Sequence, residues 1–395
     1  MLTLLLIFKN SNKYIVFLVS QKNNFFLPNF ASYIKFMDER YRNFEKIDAL
    51  IGGMSLQERI NALVKLGEKL SAPDEKLDAV MRRSYFDNKW FTEENQQQSI
   101  SAICNSFLEK QKLNDWILQY TDLQDFTLPM KKIGIVMAGN IPLVGFHDAL
   151  CVFVAGHCSL IKISDKDKYL LPYIVALLEE IDSRTTDYFS FTERFTDFQG
   201  VIATGSNNSA RYFEAYFGKY PNIIRKNRNS VAVLNGSETD EDLLAIGHDI
   251  FDYFGLGCRN VSKLYVPEGY DFDRALNVWH DHFKEMVMHD KYKNNFDYNF
   301  ALYMLNRIKF HNNGCVIVWE EKTLSSRIAS LHYEVYKNTQ DLENELLAIE
   351  NQLQCVSTII PFAALKTVAP GITQSPTLND YADNVDVMKW LLSTV

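Results

Sequence analysis

Residues 251–267 read FDYFGLGCRNVSKLYVP, and they set Cys258 directly behind Gly255, Leu256 and Gly257. Glycine lacks a Cβ, so the chain can turn sharply there and a reacting group can come close to the sulfur. A thiolate in such a place is a nucleophile for a carbonyl carbon. Lys263-Leu264-Tyr265-Val266 follows as a β-rich run closed by Pro267, so the thiol stands on a connection that feeds a strand. The other cysteines, Cys104, Cys151, Cys158, Cys315 and Cys355, have the surroundings of ordinary small buried hydrophobes.

The elements that must position this thiol begin upstream. From Met37 to about Lys112 apolar residues recur at three- and four-residue spacing, as in Ile60, Leu63, Val64 and Leu66, which predicts helices. The segment Asn114 to Lys132, rich in aromatic and β-branched residues, predicts a hairpin or an edge strand that joins subunits. From Lys132 strands and helices alternate: KIGIV, a helix from Leu143 to Val154 closed by Gly156, SLIKIS, a helix from Tyr173 to Ile181, Val201-Ile202-Ala203, a helix from Ser209 to Tyr216, and SVAVL from Ser230. This alternation predicts a doubly wound parallel sheet that binds ligands at the carboxyl ends of its strands. Thr239-x-x-Asp242 opens a long amphipathic helix that leads to Cys258, and a second α/β unit follows from Lys263.

Composition narrows the function classes. With 395 residues, 47% hydrophobic and 23% charged, the chain can bury two ordinary cores. A net charge of −8 with no Lys/Arg block argues against nucleic acid or an anionic membrane as the main partner. The cysteines are irregularly spaced and include no Cys-x-x-Cys, so they offer neither a disulfide framework nor a zinc site, and no metal is expected. A reducing cytoplasm suits them. The runs MLTLLLIF and YIVFLV are too short to span a bilayer, so no stable membrane insertion is expected. Residues 1–36 are expected to lie outside the functional fold, which then begins with the helix-like pattern at Met37.

Ahead of Cys258 stand Gly139-Asn140-Ile141-Pro142, then Lys162-Ile163-Ser164-Asp165, then Thr204-Gly205-Ser206. This series resembles the aldehyde dehydrogenase superfamily, in which an Asn-x-Pro turn, a Lys-Pro-Ser-Glu-like strand end, a Thr-Gly-Ser turn and a Gly-x-x-Cys nucleophile follow one another. The turn AGNIPLV and the tail DYADNVD are most similar to acyl-CoA reductases of the LuxC type. The resemblance runs from about Met37 to the C-terminus. It implies an α/β protein with two doubly wound, Rossmann-like domains and the active site between them. The expected division is a cofactor-binding domain with N-terminal helices over 37–235, a catalytic domain over 236–362 and a C-terminal return segment over 363–395.

Carried over by residue, the resemblance makes Cys258 the nucleophile. Asn140 becomes the side-chain half of an oxyanion hole completed by the Cys258 backbone N–H. Lys162, Ser164 and Asp165 would meet the adenosine ribose, and Gly205 and Ser206 the pyrophosphate of NADPH or NADH. The implied reaction is reduction of a long-chain acyl-CoA, or an acyl-carrier-protein thioester, to the free aldehyde through a thioacyl-cysteine. A homo-oligomer is expected, with an acyl-transfer or acyl-activating enzyme as a candidate partner. Two departures from the superfamily bear on this. The stretch IIRKNRNSVAVL carries no acid where hydrolytic members keep a glutamate base, which favours reduction over oxidation of an aldehyde. Asp165 could bond a ribose 2′-hydroxyl and would repel a 2′-phosphate, which sets it against the NADPH associated with LuxC-type enzymes. An acylating aldehyde dehydrogenase and a silent binding subunit are the rival readings. His147 is expected to be a core histidine. Tyr381, Asp383 and Asp386 are expected to close the site or dock the tail.

Overall fold

The structure is a computed structural model that describes residues 4–10, 13–19, 53–120 and 129–394. The chain divides into two compact units, Met1–Gly53 and Met54–Val395. In the first, β1 (Leu4–Asn10) and β2 (Lys13–Val19) form an antiparallel hairpin with Leu4 opposite Val19. The helix expected from Met37 lies outside the described residues.

The second unit opens with α1 (Leu56–Leu70), α2 (Glu75–Asp87), α3 (Glu93–Phe107) and α4 (Lys110–Leu118). Ser55 caps α1 in a reciprocal box with Glu58, satisfying donors the helix itself leaves unpaired. The apolar positions that the spacing picked out, Ile60, Leu63 and Leu66, are buried with Trp116 against the sheet residues Ile133 and Ile161. The expected hairpin over Asn114–Lys132 begins instead inside α4, and residues 121–128 of it lie outside the described part.

Two sheets follow. The first is built from β3 (Lys132–Val136), β4 (Cys158–Lys162), β5 (Phe189–Phe191), β6 (Gly200–Thr204) and β7 (Asn222–Arg225), all parallel, in the order β5-β4-β3-β6-β7. Their crossovers include α5 (Phe146–Val154), α6 (Leu170–Ile181) and α7 (Asn207–Phe217). The chain winds outward from β3 through β4 and β5, then returns to the other side through β6. The carboxyl ends of β3 and β6 are therefore the switch point at which such sheets leave a crevice.

The second sheet holds β8 (Asn229–Val233), β9 (Val261–Pro267), β10 (Phe310–Asn312), β11 (Ile317–Glu320), β12 (Ser330–Tyr336) and β13 (Leu353–Thr358), in the order β10-β11-β12-β9-β8-β13. Only the β10–β11 pair is antiparallel. Around it lie α8 (Asp240–Phe251), α9 (Phe272–Phe283), α10 (Asp290–Leu305) and α11 (Thr339–Ala348), and α12 (Val387–Ser393) ends the chain. The strand SVAVL, counted above with the first sheet, is β8 and pairs with β9 and β13 in the second. The chain changes sheets before Asn229, because β7 ends as the edge of the first sheet and its continuation crosses directly to the other.

Candidate active site

A cleft of about 530 Å3 lies between the sheets. The carboxyl ends of β3, β4, β6 and β7 contribute Asn140, Ser164, Ser206 and Arg225 to one wall. The amino ends of β8, β9 and β12 contribute Asn229, Val261 and Ser330 to the other, and the loop ahead of β9 places Cys258 between them.

That loop is held by side chains far more than by regular structure. Helix α8 starts with the expected box, the Thr239 hydroxyl accepting from the Asp242 N–H and the Asp242 carboxylate accepting from the Thr239 N–H. Past its end Tyr253 and Phe254 take left-handed backbone angles, φ 53° and 59°, and Gly255 follows at φ 71°. Two successive non-glycine residues there cost free energy that surrounding contacts must offset. The buried Asn260 supplies them: its amide donates to the Asp252 carbonyl at 2.8 Å and to the Asp249 carbonyl at 3.2 Å, while its Oδ1 accepts from the Gly257 N–H at 2.8 Å. A Cβ on Gly257 would stand 2.9 Å from that same Oδ1, so the turn beside the cysteine has room for glycine alone. The Cys258 carbonyl accepts from the Ser230 hydroxyl on β8 at 2.9 Å.

Cys258 is solvent-accessible at the cleft floor, whereas the other five cysteines are buried. Protein nonetheless surrounds the sulfur on most sides, and this burial raises the thiol pKa above its ordinary range, with Arg259 opposing the shift. Arg259 itself donates to the Cys355 Sγ at 3.3 Å and to the Asp380 carbonyl at 2.8 Å.

Asn140 sits across from this loop and donates its amide to the Leu256 carbonyl at 2.8 Å. An asparagine amide has two N–H groups, so one remains for another acceptor. The turn carrying it is fixed twice: Ser99 donates to the Pro142 carbonyl at 2.8 Å, and Asp167 accepts the Leu143 N–H at 2.7 Å. Leu143 has φ 58°, so this turn also carries strain.

Gly205 and Ser206 line the same cleft, with Ser206 capping α7 by accepting the Ser209 N–H at 3.2 Å. The amino end of α7 thus opens toward the cleft, a place where backbone N–H groups favour an anion. Ser164 also lines it. Lys162 and Asp165 are not among the lining residues: Lys162 turns to Glu193, whose carbonyl and carboxylate lie 3.3 and 3.7 Å away, and Asp165 is exposed. Lys166, one residue on, faces the cleft instead.

Sequence reasoning missed further lining residues. Arg225 makes a buried two-pronged bond to Asp148, one arm at 2.9 Å, and Arg228 pairs with Asp383 at 3.2 Å. Both arginines lie in IIRKNRN, where only the missing acid had drawn notice, while their partners are distant in sequence. The segment Ser325-Ser326-Arg327 forms the far rim. His147 lies outside the cleft lining, its ring 4.9 Å from Phe107 and 5.2 Å from Tyr381. Burial pushes its pKa down to about 4, so it is neutral at pH 7 and fits the expected core role.

No family model matches the sequence, and no curated protein matches it. Solved structures do. An aldehyde dehydrogenase 21 from Physcomitrella patens with bound succinate is similar over 91% of this chain and 88% of its own, with TM-score 0.64 at 12% identity. A Bacillus cereus aldehyde dehydrogenase in complex with NAD+ gives 77% and 72% with TM-score 0.55 at 13% identity. A mutant of a propionaldehyde dehydrogenase from a Clostridium phytofermentans microcompartment covers 82% of each chain with TM-score 0.53 at 10% identity. The chain therefore has the aldehyde dehydrogenase fold, as the motif order implied. Among the described residues no helix is long and apolar enough to cross a membrane.

Proposed function

We propose that the protein reduces an acyl thioester to the free aldehyde, with Cys258 as nucleophile and a nicotinamide cofactor as reductant. The Cys258 thiolate attacks the carbonyl carbon, and the resulting oxyanion is met by the unused Asn140 N–H and the Cys258 backbone N–H. The carrier thiolate leaves, and a thioacyl-enzyme remains. NADPH or NADH held at Gly205, Ser206, Ser164 and Lys166 would supply the hydride for this carbonyl. The thiohemiacetal then releases aldehyde and returns the Cys258 thiolate.

The residues present suit a dinucleotide: the amino end of α7 with Gly205 and Ser206 suits the pyrophosphate, and Ser164 and Lys166 suit the adenosine side. The likeness to a propionaldehyde dehydrogenase agrees with an aldehyde as one reaction partner.

One observation carries the choice of reduction. The carboxylates among the described lining residues, Asp148 and Asp383, are both bound to arginines, and the stretch IIRKNRNSVAVL, where hydrolytic members of the superfamily keep a glutamate, carries no acid. With no unpaired carboxylate among the described lining residues to activate water, a thioacyl-enzyme can await hydride.

The test is incubation with an acyl-CoA, followed by intact-protein and peptide mass spectrometry, then addition of reduced cofactor. An acyl adduct on Cys258 that disappears as nicotinamide absorbance falls is expected, and Cys258→Ala should form none while still binding cofactor. Because the thiol pKa is raised, adduct formation should speed up as pH rises above neutral. An adduct on another cysteine, or normal turnover by Cys258→Ala, would sink the reading.

A further inference from the structure

The carbonyls of Leu256, Gly257 and Cys258 each have their own donor. Leu256 accepts from the Asn140 amide at 2.8 Å, Gly257 from the Asn260 backbone N–H at 3.1 Å and Cys258 from the Ser230 hydroxyl at 2.9 Å. The Gly257 N–H is taken as well, by Asn260 Oδ1 at 2.8 Å. A peptide unit is planar, and in the trans form its N–H points opposite to its carbonyl. With the Gly257 carbonyl turned onto Asn260, the Cys258 N–H is turned the other way, and this is the donor that the oxyanion of the proposed reaction needs.

Asn260 therefore holds both peptide units ahead of the sulfur, one by its side chain and one by its backbone. The residue is 3% exposed, and its amide faces two ways. The Nδ2 end donates to carbonyls at the carboxyl end of α8, those of Asp252 at 2.8 Å, Asp249 at 3.2 Å and Ile250 at 3.4 Å, groups that a helix end leaves without partners. The Oδ1 end holds Gly257. One side chain thus ties the helix end to the turn across the left-handed run Tyr253-Phe254-Gly255. Asn140 works on the same peptide from the first sheet: it holds the carbonyl of the Leu256–Gly257 unit, and Asn260 holds its N–H.

Resting on the thioester reading above, we propose that Asn260 is a positioning residue of the acylation step, which aims the Cys258 N–H at the oxyanion through Gly257. It acts through the turn and not on the substrate.

Two reactions of Cys258 separate aiming from support of the fold. Acylation, by p-nitrophenyl acetate or by an acyl-CoA, builds an oxyanion, whereas alkylation by iodoacetamide builds none. Their rate ratio, followed by mass spectrometry of the Cys258 peptide, reports the oxyanion donor, and a change in thiol ionisation moves both reactions alike and cancels. Asn260→Ala should lower the ratio about 10–10²-fold, the scale of a catalytic group displaced by about an ångström. Asn260→Asp keeps an oxygen for the Gly257 N–H and loses the donors to α8, so its ratio should stay closer to wild type although its urea midpoint falls. An unchanged ratio in Asn260→Ala, or a ratio that follows the urea midpoint across both variants, overturns the proposal. If Asn260→Ala does not fold, Asn260→Ser takes its place, and failure of both to fold overturns the proposal too, since the residue then serves the fold. Acylation of the wild type by the ester and not by acyl-CoA removes the thioester reading, and the ester ratio alone then decides the role of Asn260. Acylation by neither removes both.

Discussion

Under the proposed reaction, Asn140 would serve structure and chemistry together. One amide N–H ties the Pro142 turn to the Leu256 carbonyl, two residues before Cys258, and the other would be available to an oxyanion. Asn140→Ala removes both, yet Ser99 and Asp167 still hold the turn. The rate of thioester reduction is therefore expected to fall about 10²–10³-fold with the fold intact, the usual effect of deleting one oxyanion donor. Unfolding of the variant, seen by circular dichroism, would show that the tie to Leu256 is its main work. Cofactor choice also turns on single residues. The motif pointed to Asp165, but Lys166 is the one that faces the cleft, so Asp165→Ser should leave the NADPH/NADH ratio of kcat/KM nearly unchanged. Lys166→Ser should lower that ratio by about three- to tenfold, the scale of one solvent-exposed charge contact. A large shift in Asp165→Ser instead would mean that its carboxylate reaches the ribose.

At the scale of elements, the loop after α8 and the turn after β3 were legible in part. Gly255 and Gly257 marked a tight approach beside Cys258, and Thr239-x-x-Asp242 marked the start of the helix that delivers it. Asn260, which fastens the loop, gave no signal, because an asparagine two residues after a cysteine has no distinctive spacing. The pairing of Arg225 with Asp148 was equally hidden, since it depends on β7 and α5 meeting across the fold. Asp167 is a third case, and it carries a stability prediction. Burial raises its pKa to about 6, against the Leu143 N–H, which lowers it, while an aspartate in an unfolded chain titrates near 3.9. Between those values the folded protein holds a proton that the unfolded chain has released. Stability from this group is thus greatest below about pH 4, falls as pH rises through the window and levels off above about 6, a change of about 2–3 kcal/mol. In Asp167→Asn that component should vanish. Urea unfolding of both proteins at about pH 4.5 and about pH 7.5 checks it; parallel pH dependence in the two would place the titration elsewhere.

On the scale of the whole molecule, the order of motifs pointed to two sheets with a site between them, and Tyr381, Asp383 and Asp386 were expected to close the site or dock the tail, but the partners that hold them came only from the structure. The tail DYADNVD crosses that gap. On one side the Tyr381 hydroxyl accepts from the Trp116 indole at 2.9 Å and lies 2.6 Å from the Tyr120 hydroxyl, which in turn donates to Asp386 at 3.1 Å. On the other, Arg259 donates to the Asp380 carbonyl, Asp383 pairs with Arg228, and the Asp383 N–H donates to Gln354 at 3.2 Å. One short segment thus joins α4 of the first half to the cysteine loop and β13 of the second. Tyr381→Phe deletes the shared hydroxyl and leaves the buried Trp116 N–H without its acceptor, which should cost about 1–3 kcal/mol. The change loosens the strap where it is anchored in the core, so it should also lower turnover by altering how Cys258 faces Asn140. Trp116→Phe removes the stranded donor. If the strap argument holds, Trp116→Phe/Tyr381→Phe should regain part of the stability lost in Tyr381→Phe, after allowance for the smaller ring, while turnover stays low. Recovery of full turnover together with stability would mean that the tail supports the fold and does not set the geometry of the site.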